Sequence, residues 1–226
     1  IVRPPRESDC EGSYCTEDYF AWNRFSDITS SHNKGPGFMI DTRPEECDDN
    51  YDDDCDDYWH GDIGFDRNEF EDFTVSYNKK SGGDYDHRGY GFVIQSSMSN
   101  YERTRLNNFT NIVASHNSET GVYIQGLDRC DSGPGDLCDG DDRLQNKFRK
   151  ITSTFNNQGI YLRDAIEEGG GIYDSTASNN TESGLYLQGY EGGEIDGGVY
   201  SYNRIGIYVR DDDYLINNVT AIHNTE

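Results

Sequence analysis

Two acidic segments enclosed by cysteines are the residues of this chain whose types and spacing point most directly to chemistry. One runs from Cys47 to Cys55 and the other from Cys130 to Cys138, with seven residues between the cysteines in both. Dense carboxylates with carbonyl oxygens nearby are the ligands that Ca²⁺ prefers. The candidate calcium ligands are Asp48, Asp52, Asp54, Asp136, Asp139 and Asp141. A solvated acidic loop held by a disulfide is the alternative, because neither segment has the full spacing of an EF-hand.

The six cysteines fall into three close pairs, a pattern that predicts local disulfides and an oxidising compartment. The pairs are Cys10 with Cys15, Cys47 with Cys55, and Cys130 with Cys138. No spacing is Cys-x-x-Cys, which disfavours reduced thiols or a zinc site. Three Asn-x-Thr triplets, at Asn108, Asn179 and Asn218, also predict a glycosylated, extracellular protein.

Four tyrosines recur at the middle of an apolar triplet, and we expect them to form a column on one outer face. They are Tyr123, Tyr161, Tyr186 and Tyr208. Arg163 and Arg210 lie two positions after column tyrosines, so the column has polar neighbours. Tyrosine rings beside amides and guanidinium groups are suited to sugar rings, and equally to a protein interface. The third interpretation is a stacked ladder that only stabilises the sheet.

The tyrosines belong to a repeat that starts at an Asn and continues into a Gly followed by an apolar triplet. The Asn recurs seven times, and the shortest steps, of 21 to 24 residues, define the bare repeat. Its positions are Asn33, Asn78, Asn117, Asn156, Asn180, Asn203 and Asn224. Six copies continue into a predicted strand: Gly37–Ile40, Gly91–Ile94, Gly121–Ile124, Gly159–Leu162, Gly184–Leu187 and Gly206–Val209. A fixed period of this length predicts stacked short strands, and acidic insertions near 41–69 and 126–147 lengthen two repeats.

Alternation along each predicted strand places the first and third apolar residues inside and the middle one outside. The predicted interior residues are Phe38, Ile40, Phe92, Ile94, Val122, Ile124, Ile160, Leu162, Leu185, Leu187, Ile207 and Val209. A small or hydroxyl residue two places before most of the repeated Asn residues is also expected inside, at a bend. Because Asn tolerates the left-handed conformation, we expect it at that bend, with its amide bonded to the next Asn.

This pattern resembles the right-handed parallel β-helix repeat family, the pectin-lyase-like superfamily that includes carbohydrate-binding and sugar-hydrolase domains. The resemblance covers about residues 25–226. It implies an all-β fold, a right-handed parallel β-helix (solenoid) of about seven coils. Residues 1–24 lack the repeat, and we interpret them as an N-terminal cap pinned by Cys10 and Cys15, with a short helix starting near Thr16.

The same family includes calcium-dependent polysaccharide lyases with an Arg base. Arg163 and Arg210, each followed by Asp, are the nearest candidates for that base. The Gly-His-Gly and Arg-Ile-Lys motifs of polygalacturonase-type enzymes do not occur. No catalytic residue is therefore assigned, and the sequence leans away from an enzyme. The alternative is a carbohydrate-active protein that acts on or binds a polysaccharide: a lyase, a glycoside hydrolase or a sugar-binding module.

The net charge and the end of the sequence give expectations about which partners the protein binds. The charge of −24 disfavours nucleic acid, because binding phosphates needs positive charge. No run of about 18 apolar residues occurs, so no membrane span is predicted. The chain stops directly after the seventh Asn, which suggests either excision from a longer polypeptide or coverage of the last coil by another copy. The second alternative predicts a secreted structural or adhesive protein that binds itself head to tail in filaments.

Overall fold

A computed structural model describes residues 19–41, 64–80, 89–95, 106–126, 145–166, 169–189, 192–210 and 213–226. These residues form an all-β structure without helices, and the strand pairings among them are parallel. The strands are β1 (Tyr19–Ala21), β2 (Arg24–Ser31), β3 (Phe38–Asp41), β4 (Gly64–Asp66), β5 (Glu69–Ser76), β6 (Phe92–Gln95), β7 (Asn108–Ser115), β8 (Thr120–Gln125), β9 (Lys147–Arg149), β10 (Thr152–Thr154), β11 (Gln158–Arg163), β12 (Gly171–Tyr173), β13 (Thr176–Ser178), β14 (Ser183–Gln188), β15 (Glu194–Asp196), β16 (Val199–Ser201), β17 (Ile205–Val209), β18 (Leu215–Asn217) and β19 (Thr220–Ile222).

Six strands, one from each successive repeat, form a sheet in which chain order and spatial order agree. The order is β3, β6, β8, β11, β14 and β17. Their register aligns the apolar triplets; Tyr161, for example, lies opposite Tyr123 on one side and Tyr186 on the other. The strands predicted from the Gly and apolar triplets are therefore confirmed, and so is their parallel stacking.

An eleven-stranded sheet consists of two parallel rows joined by three long strands. The long strands β2, β5 and β7 run through both rows. In later repeats β9, β12, β15 and β18 continue the first row, and β10, β13, β16 and β19 continue the second. We call the strands of one repeat a rung, and the described strands of the two large sheets form seven rungs. β1 and β4 form a separate two-stranded sheet.

A stack of aromatic rings fills the interior beside the first row. The rings belong to Phe25, Phe70, Phe109 and Phe148 on four successive rungs. Their centroids are 5.2, 5.0 and 4.6 Å apart, and the planes are nearly parallel. Ile172 and Ile195 continue the column on the next two rungs and are fully buried. The predicted interior residues of the six-stranded sheet belong to the same core, and only Ile207 and Val209, near the last rung, are half-buried.

Two ladders of Asn side chains run along the stack. The predicted ladder is confirmed: side-chain hydrogen bonds of 2.8 to 3.4 Å join each Asn of the repeat, from Asn33 to Asn224, to the next. A second ladder, which we did not predict, joins Asn23, Asn68, Asn107 and Asn146 at 2.9 to 3.1 Å. Each Asn of the second ladder lies two positions before a Phe of the aromatic stack. These amides satisfy polar groups at buried bends, where unpaired groups would be costly.

Steric crowding explains the glycine at the start of each strand of the six-stranded sheet. A Cβ at Gly184 would lie 2.6 Å from Asn203 Nδ2 and 2.7 Å from the carbonyl oxygen of Gly206. The same two kinds of group, a ladder amide and a glycine carbonyl on the next rung, crowd Gly91 and Gly159. Only a residue without a Cβ allows the ladder and the next strand to approach this closely.

We predicted that the repeated Asn adopts the left-handed conformation at the bend. In the structure, the residue before it does. These residues are His32, Tyr77, His116, Phe155, Asn179, Tyr202 and His223, with φ between 56° and 59°. The inward-facing residue before the bend is also one place earlier in the sequence than we predicted. Ala114 and Ala177, three residues before an Asn, are buried, whereas Ser115 and Ser178, two residues before, are half-buried. Strand alternation continues up to the left-handed residue, so Ser115 and Ser178 point away from the core, although Ser201 at the same position is buried.

Two further expectations were wrong. In the segment expected to form a helix after Thr16, Tyr19–Ala21 is a strand, because parallel pairing with β4 overrides a weak helical preference. Met39 and Val93, expected outside, are buried in a small cluster with Tyr90, against which Tyr123 also packs. Residues 1–18 lie outside the described ranges, so the cap and its boundary at residue 24 stay predictions.

Candidate functional site

The four tyrosines predicted to form a column lie on adjacent strands of the six-stranded sheet and stack face to face. The tyrosine column runs through Tyr123, Tyr161, Tyr186 and Tyr208. Successive ring centroids are 5.1, 4.7 and 4.9 Å apart, with interplanar angles of 12°, 13° and 24°. Tyr90, which we did not predict, extends the stack beyond Tyr123 at 5.2 Å. The spacing equals the distance between neighbouring strands, so the sheet itself sets the stacking.

This stacking decides which part of each tyrosine another molecule can reach. Both ring faces of Tyr161 and Tyr186 are covered by neighbouring tyrosines, which leaves the ring edges and hydroxyl groups. Burial raises the pKa of Tyr161, and the neighbouring Tyr123 and Tyr186 raise it further. Its hydroxyl therefore stays protonated at neutral pH. The column presents hydrogen-bonding groups, whereas a platform for sugar rings needs open aromatic faces.

Polar side chains flank the tyrosine column at the predicted positions. Arg163 pairs in register with Gln125 and Gln188 on the neighbouring strands. Arg163 Nε lies 3.4 Å from Asp164 Oδ2, and this Nε is buried without a hydrogen-bond partner among the described residues. Arg210 is exposed, and its backbone N–H donates to the carbonyl oxygen of Leu187 at 3.0 Å. The two predicted arginines thus lie on the same side as the tyrosines, although two rungs apart.

A second aromatic column, which we did not predict, follows the left-handed bends before the repeated Asn residues. This bend column contains His32, Tyr77, His116, Phe155, Asn179, Tyr202 and His223. Ring centroids are 5.0, 4.7 and 4.8 Å apart from His32 through Phe155, and 4.8 Å apart between Tyr202 and His223. The signal was present in the sequence, where six of the seven residues at this position are His, Tyr or Phe. Its three histidines are stacking partners in this column.

The three predicted glycosylation sites occupy different environments. Asn108 begins strand β7, between Glu69 and Lys147 on the neighbouring rungs. Asn218 donates a 2.8 Å hydrogen bond from Nδ2 to Asp196 Oδ1. Asn179 is exposed in the bend column, and its Nδ2 donates a 3.3 Å bond to Ser178 Oγ. All three are on the surface, and Asn179 alone interrupts an aromatic column.

An open cavity of about 390 Å³ lies beside Asn179. It is lined by Asn117, Ser118, Phe155, Asn156, Asn157, Asn179 and Thr181. One aromatic ring and several amide and hydroxyl groups thus surround it. Its lining is more polar and its shape more open than those of most small-molecule sites.

The predicted disulfides and calcium ligands lie outside the described ranges, and so stay predictions. They are Cys10, Cys15, Cys47, Cys55, Cys130, Cys138, Asp48, Asp52, Asp54, Asp136, Asp139 and Asp141. Within the described ranges, no group of three or more His, Cys, Asp or Glu side chains is placed to hold a metal ion. The same ranges contain no helix of the length and hydrophobicity that a membrane crossing requires.

Comparison with known proteins finds no family model, no curated protein and no solved structure that matches this chain. Among the described residues, the features that bear on function are the two aromatic columns, the ladders between rungs, and the edge of the last rung.

Proposed function

We propose that this chain is a structural or adhesive unit outside the cell, and that copies join end to end along the stack. We further propose that it is a right-handed parallel β-helix of about seven coils, of the pectin-lyase-like kind. The parallel register of successive repeats supports this fold. So do two Asn ladders and a continuous aromatic core, because all three connect one rung to the next.

The tyrosine column supports a scaffold more than an enzyme or a lectin. A sugar ring packs its C–H surface against an open aromatic face. The internal faces of this column are already occupied by neighbouring tyrosines. The column therefore adds stacking energy between rungs, of about 0.5–1.5 kcal/mol for each aromatic pair.

The apolar edge of the last rung is the main support for the proposed end-to-end assembly. Leu215, Ile216 and Ile222 are 58%, 49% and 47% exposed, whereas Ile195, in register with Ile216 one rung earlier, is fully buried. Among the described strands, β18 and β19 pair with a neighbour on one side only. An open parallel edge with exposed apolar side chains is a surface on which another rung can pair.

The ends of the longer Asn ladder are complementary to each other. On every rung the Asn backbone N–H donates to the side-chain oxygen of the next Asn, as Asn203 does to Asn224 at 3.0 Å. At the last rung, the backbone N–H of Asn224 has no such acceptor within the described residues. At the first rung, Asn33 Oδ1 likewise has no ladder donor there. A second copy that places its Asn33 beside Asn224 continues the ladder, in a head-to-tail contact that generates a filament.

Electron microscopy with one charged variant tests the assembly. We expect rods whose length grows with protein concentration, and single particles for Ile216→Asp, because a carboxylate at the edge must be desolvated when the next rung pairs. Val199→Asp is the matched control: Val199 is 39% exposed on β16, which already has a neighbour on both sides. Rods from the control and none from Ile216→Asp support the proposal. Single wild-type particles at high concentration contradict it.

A carbohydrate-active protein is the second candidate, favoured by Arg163, whose side chain is 38% exposed and lies in register with Gln125 and Gln188 beside the tyrosine column. A uronate carboxylate would accept hydrogen bonds from the exposed part of this guanidinium group beside the column hydroxyls. Incubation with acidic polysaccharides, with and without EDTA, shows whether unsaturated uronides form, as a calcium-dependent lyase requires. Loss of polysaccharide binding in Arg163→Gln, without product formation, indicates a binding module. Wild-type protein that neither binds nor cleaves these polymers removes this candidate.

A further inference from the structure

The bend column is interrupted once, at Asn179. Phe155 stacks on His116 at 4.8 Å on one side of the interruption, and Tyr202 stacks on His223 at 4.8 Å on the other. Backbone hydrogen bonds keep the three bends in register, because the N–H of Phe155 donates to Ser178 O and that of Asn179 to Ser201 O. Phe155 and Tyr202 therefore lie two strand spacings apart, about 9–10 Å.

The interval between these two rings has the width of one further ring. Elsewhere in the bend column, neighbouring rings are 4.7 to 5.0 Å apart. Phe155 and Tyr202 are 53% and 58% exposed, somewhat more than the 44% of Tyr77, which is stacked on both faces. Each has one ring face that no other aromatic ring covers within the described residues. These two faces flank Asn179, whereas the faces inside the tyrosine column are covered by tyrosines.

The backbone conformation at residue 179 does not require an Asn. Asn is the usual non-glycine residue in the left-handed conformation. On other rungs His116, Phe155 and Tyr202 adopt φ of 56° to 58°, which matches the 58° of Asn179. A ring at residue 179 is therefore compatible with the fold, and the interruption needs another explanation.

The triplet Asn179-Asn180-Thr181 has the form of an N-glycosylation acceptor. Asn180 is buried and belongs to the Asn ladder, whereas Asn179 is exposed and its Nδ2 donates to Ser178 Oγ at 3.3 Å. Beside it the cavity of about 390 Å³ presents the Phe155 ring together with Asn157 and Thr181. Within the described residues, neither of the other two sequons lies between two exposed aromatic side chains: Asn108 is in register with Glu69 and Lys147, and Asn218 bonds to Asp196.

We propose that Asn179 carries an N-linked glycan whose first sugar ring lies between Phe155 and Tyr202 and completes the bend column. In the transfer, Asn179 Nδ2 forms a bond to the anomeric carbon of a sugar carried on a lipid diphosphate. The bond from that carbon to the diphosphate oxygen breaks, the diphosphate leaves with the electron pair, and the amide loses one proton. The proposal rests on the extracellular location proposed above, because a protein meets the lipid diphosphate sugar donor on the secretion pathway.

Secretion from a eukaryotic host, followed by peptide mass spectrometry, measures the occupancy of Asn179. Glycans are then trimmed to a single N-acetylglucosamine, and thermal unfolding is compared with Asn179→Asp, which cannot be glycosylated but tolerates the same backbone. We expect the trimmed protein to unfold about 2–4 °C higher than Asn179→Asp. In a Phe155→Ala background this difference should fall to about half, because the sugar has lost one of its two aromatic partners. Thr220→Ala, which removes the sequon at Asn218, is the control and should leave Tm within about 1 °C.

Each outcome bears on the proposal. An unoccupied Asn179 in the secreted protein overturns it. So does a glycosylated Asn179 whose stabilisation is undiminished in Phe155→Ala, because the sugar then does not pack against that ring. The readouts are independent of end-to-end assembly: wild-type protein that stays monomeric contradicts the proposed function and leaves both the occupancy and the Tm comparison valid.

Discussion

Asn78 and Asn117 are joined through their side chains, with Asn78 Nδ2 donating to Asn117 Oδ1 at 2.8 Å although 39 residues separate them. The same oxygen accepts the backbone N–H of Asn78 at 3.2 Å. Asn117 Nδ2 in turn donates to Asn156 Oδ1 at 3.0 Å and to the carbonyl oxygen of Val75 at 3.3 Å. One side chain thus connects three rungs.

Replacing Asn117 by Ala should destabilise the protein by about 3–5 kcal/mol, because several buried groups lose their partners at once and each costs about 1–3 kcal/mol. Urea unfolding measures the free energy of unfolding. Asn33→Ala is the matched control at the exposed first rung, and we expect it to cost less than about 1 kcal/mol. Equal losses in the two variants would show that the ladder does not act through burial.

Gly184→Ala should destabilise by about 2–4 kcal/mol, since overpacking by a single methyl group is costly where the backbone cannot move. Its Cβ would lie 2.7 Å from the carbonyl oxygen of Gly206 and 2.6 Å from a ladder amide. Gly189→Ala is the control, because there the nearest group is the end of the Tyr214 side chain, at 3.2 Å. The comparison is made by thermal and urea unfolding. If both variants were equally stable, crowding would not explain the repeated glycine.

Tyr200 makes stability depend on alkaline pH. It is fully buried, its hydroxyl has no hydrogen-bond partner among the described residues, and burial raises its pKa. The unfolded chain releases this proton near about pH 10, whereas the folded chain retains it. The contribution of protonated Tyr200 to the free energy of unfolding is therefore fully present below about pH 10 and is lost as pH rises further.

The variant Tyr200→Phe should be more stable than wild type by about 1 kcal/mol at neutral pH, because it removes an unsatisfied buried hydroxyl. Its stability should also fall less steeply above about pH 10. Urea midpoints at pH 8 and pH 11 measure both effects. If both proteins lost the same stability between pH 8 and pH 11, groups other than Tyr200 would cause the pH dependence.

End-to-end assembly should increase with salt concentration. Each copy carries a net charge of −24, so the approach of two copies is opposed by repulsion that ions screen. Light scattering at fixed protein concentration is expected to rise between about 0.02 and 0.5 M NaCl, where the Debye length falls several-fold. A decrease with salt would instead indicate that complementary charges drive the contact.

Calcium binding by the acidic segments remains a prediction with a direct test. If Asp136, Asp139 and Asp141 bind Ca²⁺ in the folded state only, millimolar calcium raises Tm and EDTA reverses the change. Substituting these three residues by Asn should remove the calcium response while leaving the Tm in EDTA unchanged. A Tm that calcium does not alter would favour a solvated acidic loop.

The repeated Gly and apolar triplet predicted the six-stranded sheet correctly, because strand alternation and a fixed period are local signals. The Asn ladder was predicted for the same reason, but its geometry was not. Left-handed backbone was assigned to Asn by propensity, whereas the preceding His, Tyr or Phe adopts it. Stacking between rungs offsets the cost of that conformation, and such stabilisation cannot be judged from one residue's preference.

The phenylalanine stack and the second ladder show a different limit. Asn107 and Phe109 form an Asn-x-Phe motif that occurs in four repeats, yet the next two repeats have Gly and Ile at these positions and the last has Tyr214 and Ile216. An alignment based only on the seven repeated Asn residues therefore missed it. For the candidate site, the sequence placed the tyrosines and arginines on one face. It could not show that the tyrosine faces are covered, because this depends on the distance between strands.

Sedimentation velocity over a hundredfold range of protein concentration tests end-to-end assembly most directly. We expect species larger than the 25.7 kDa chain, in a proportion that grows with concentration, for wild type and Val199→Asp, and only monomer for Ile216→Asp. A monomer throughout the range in the wild-type protein, or assembly that Ile216→Asp leaves unchanged, would contradict it.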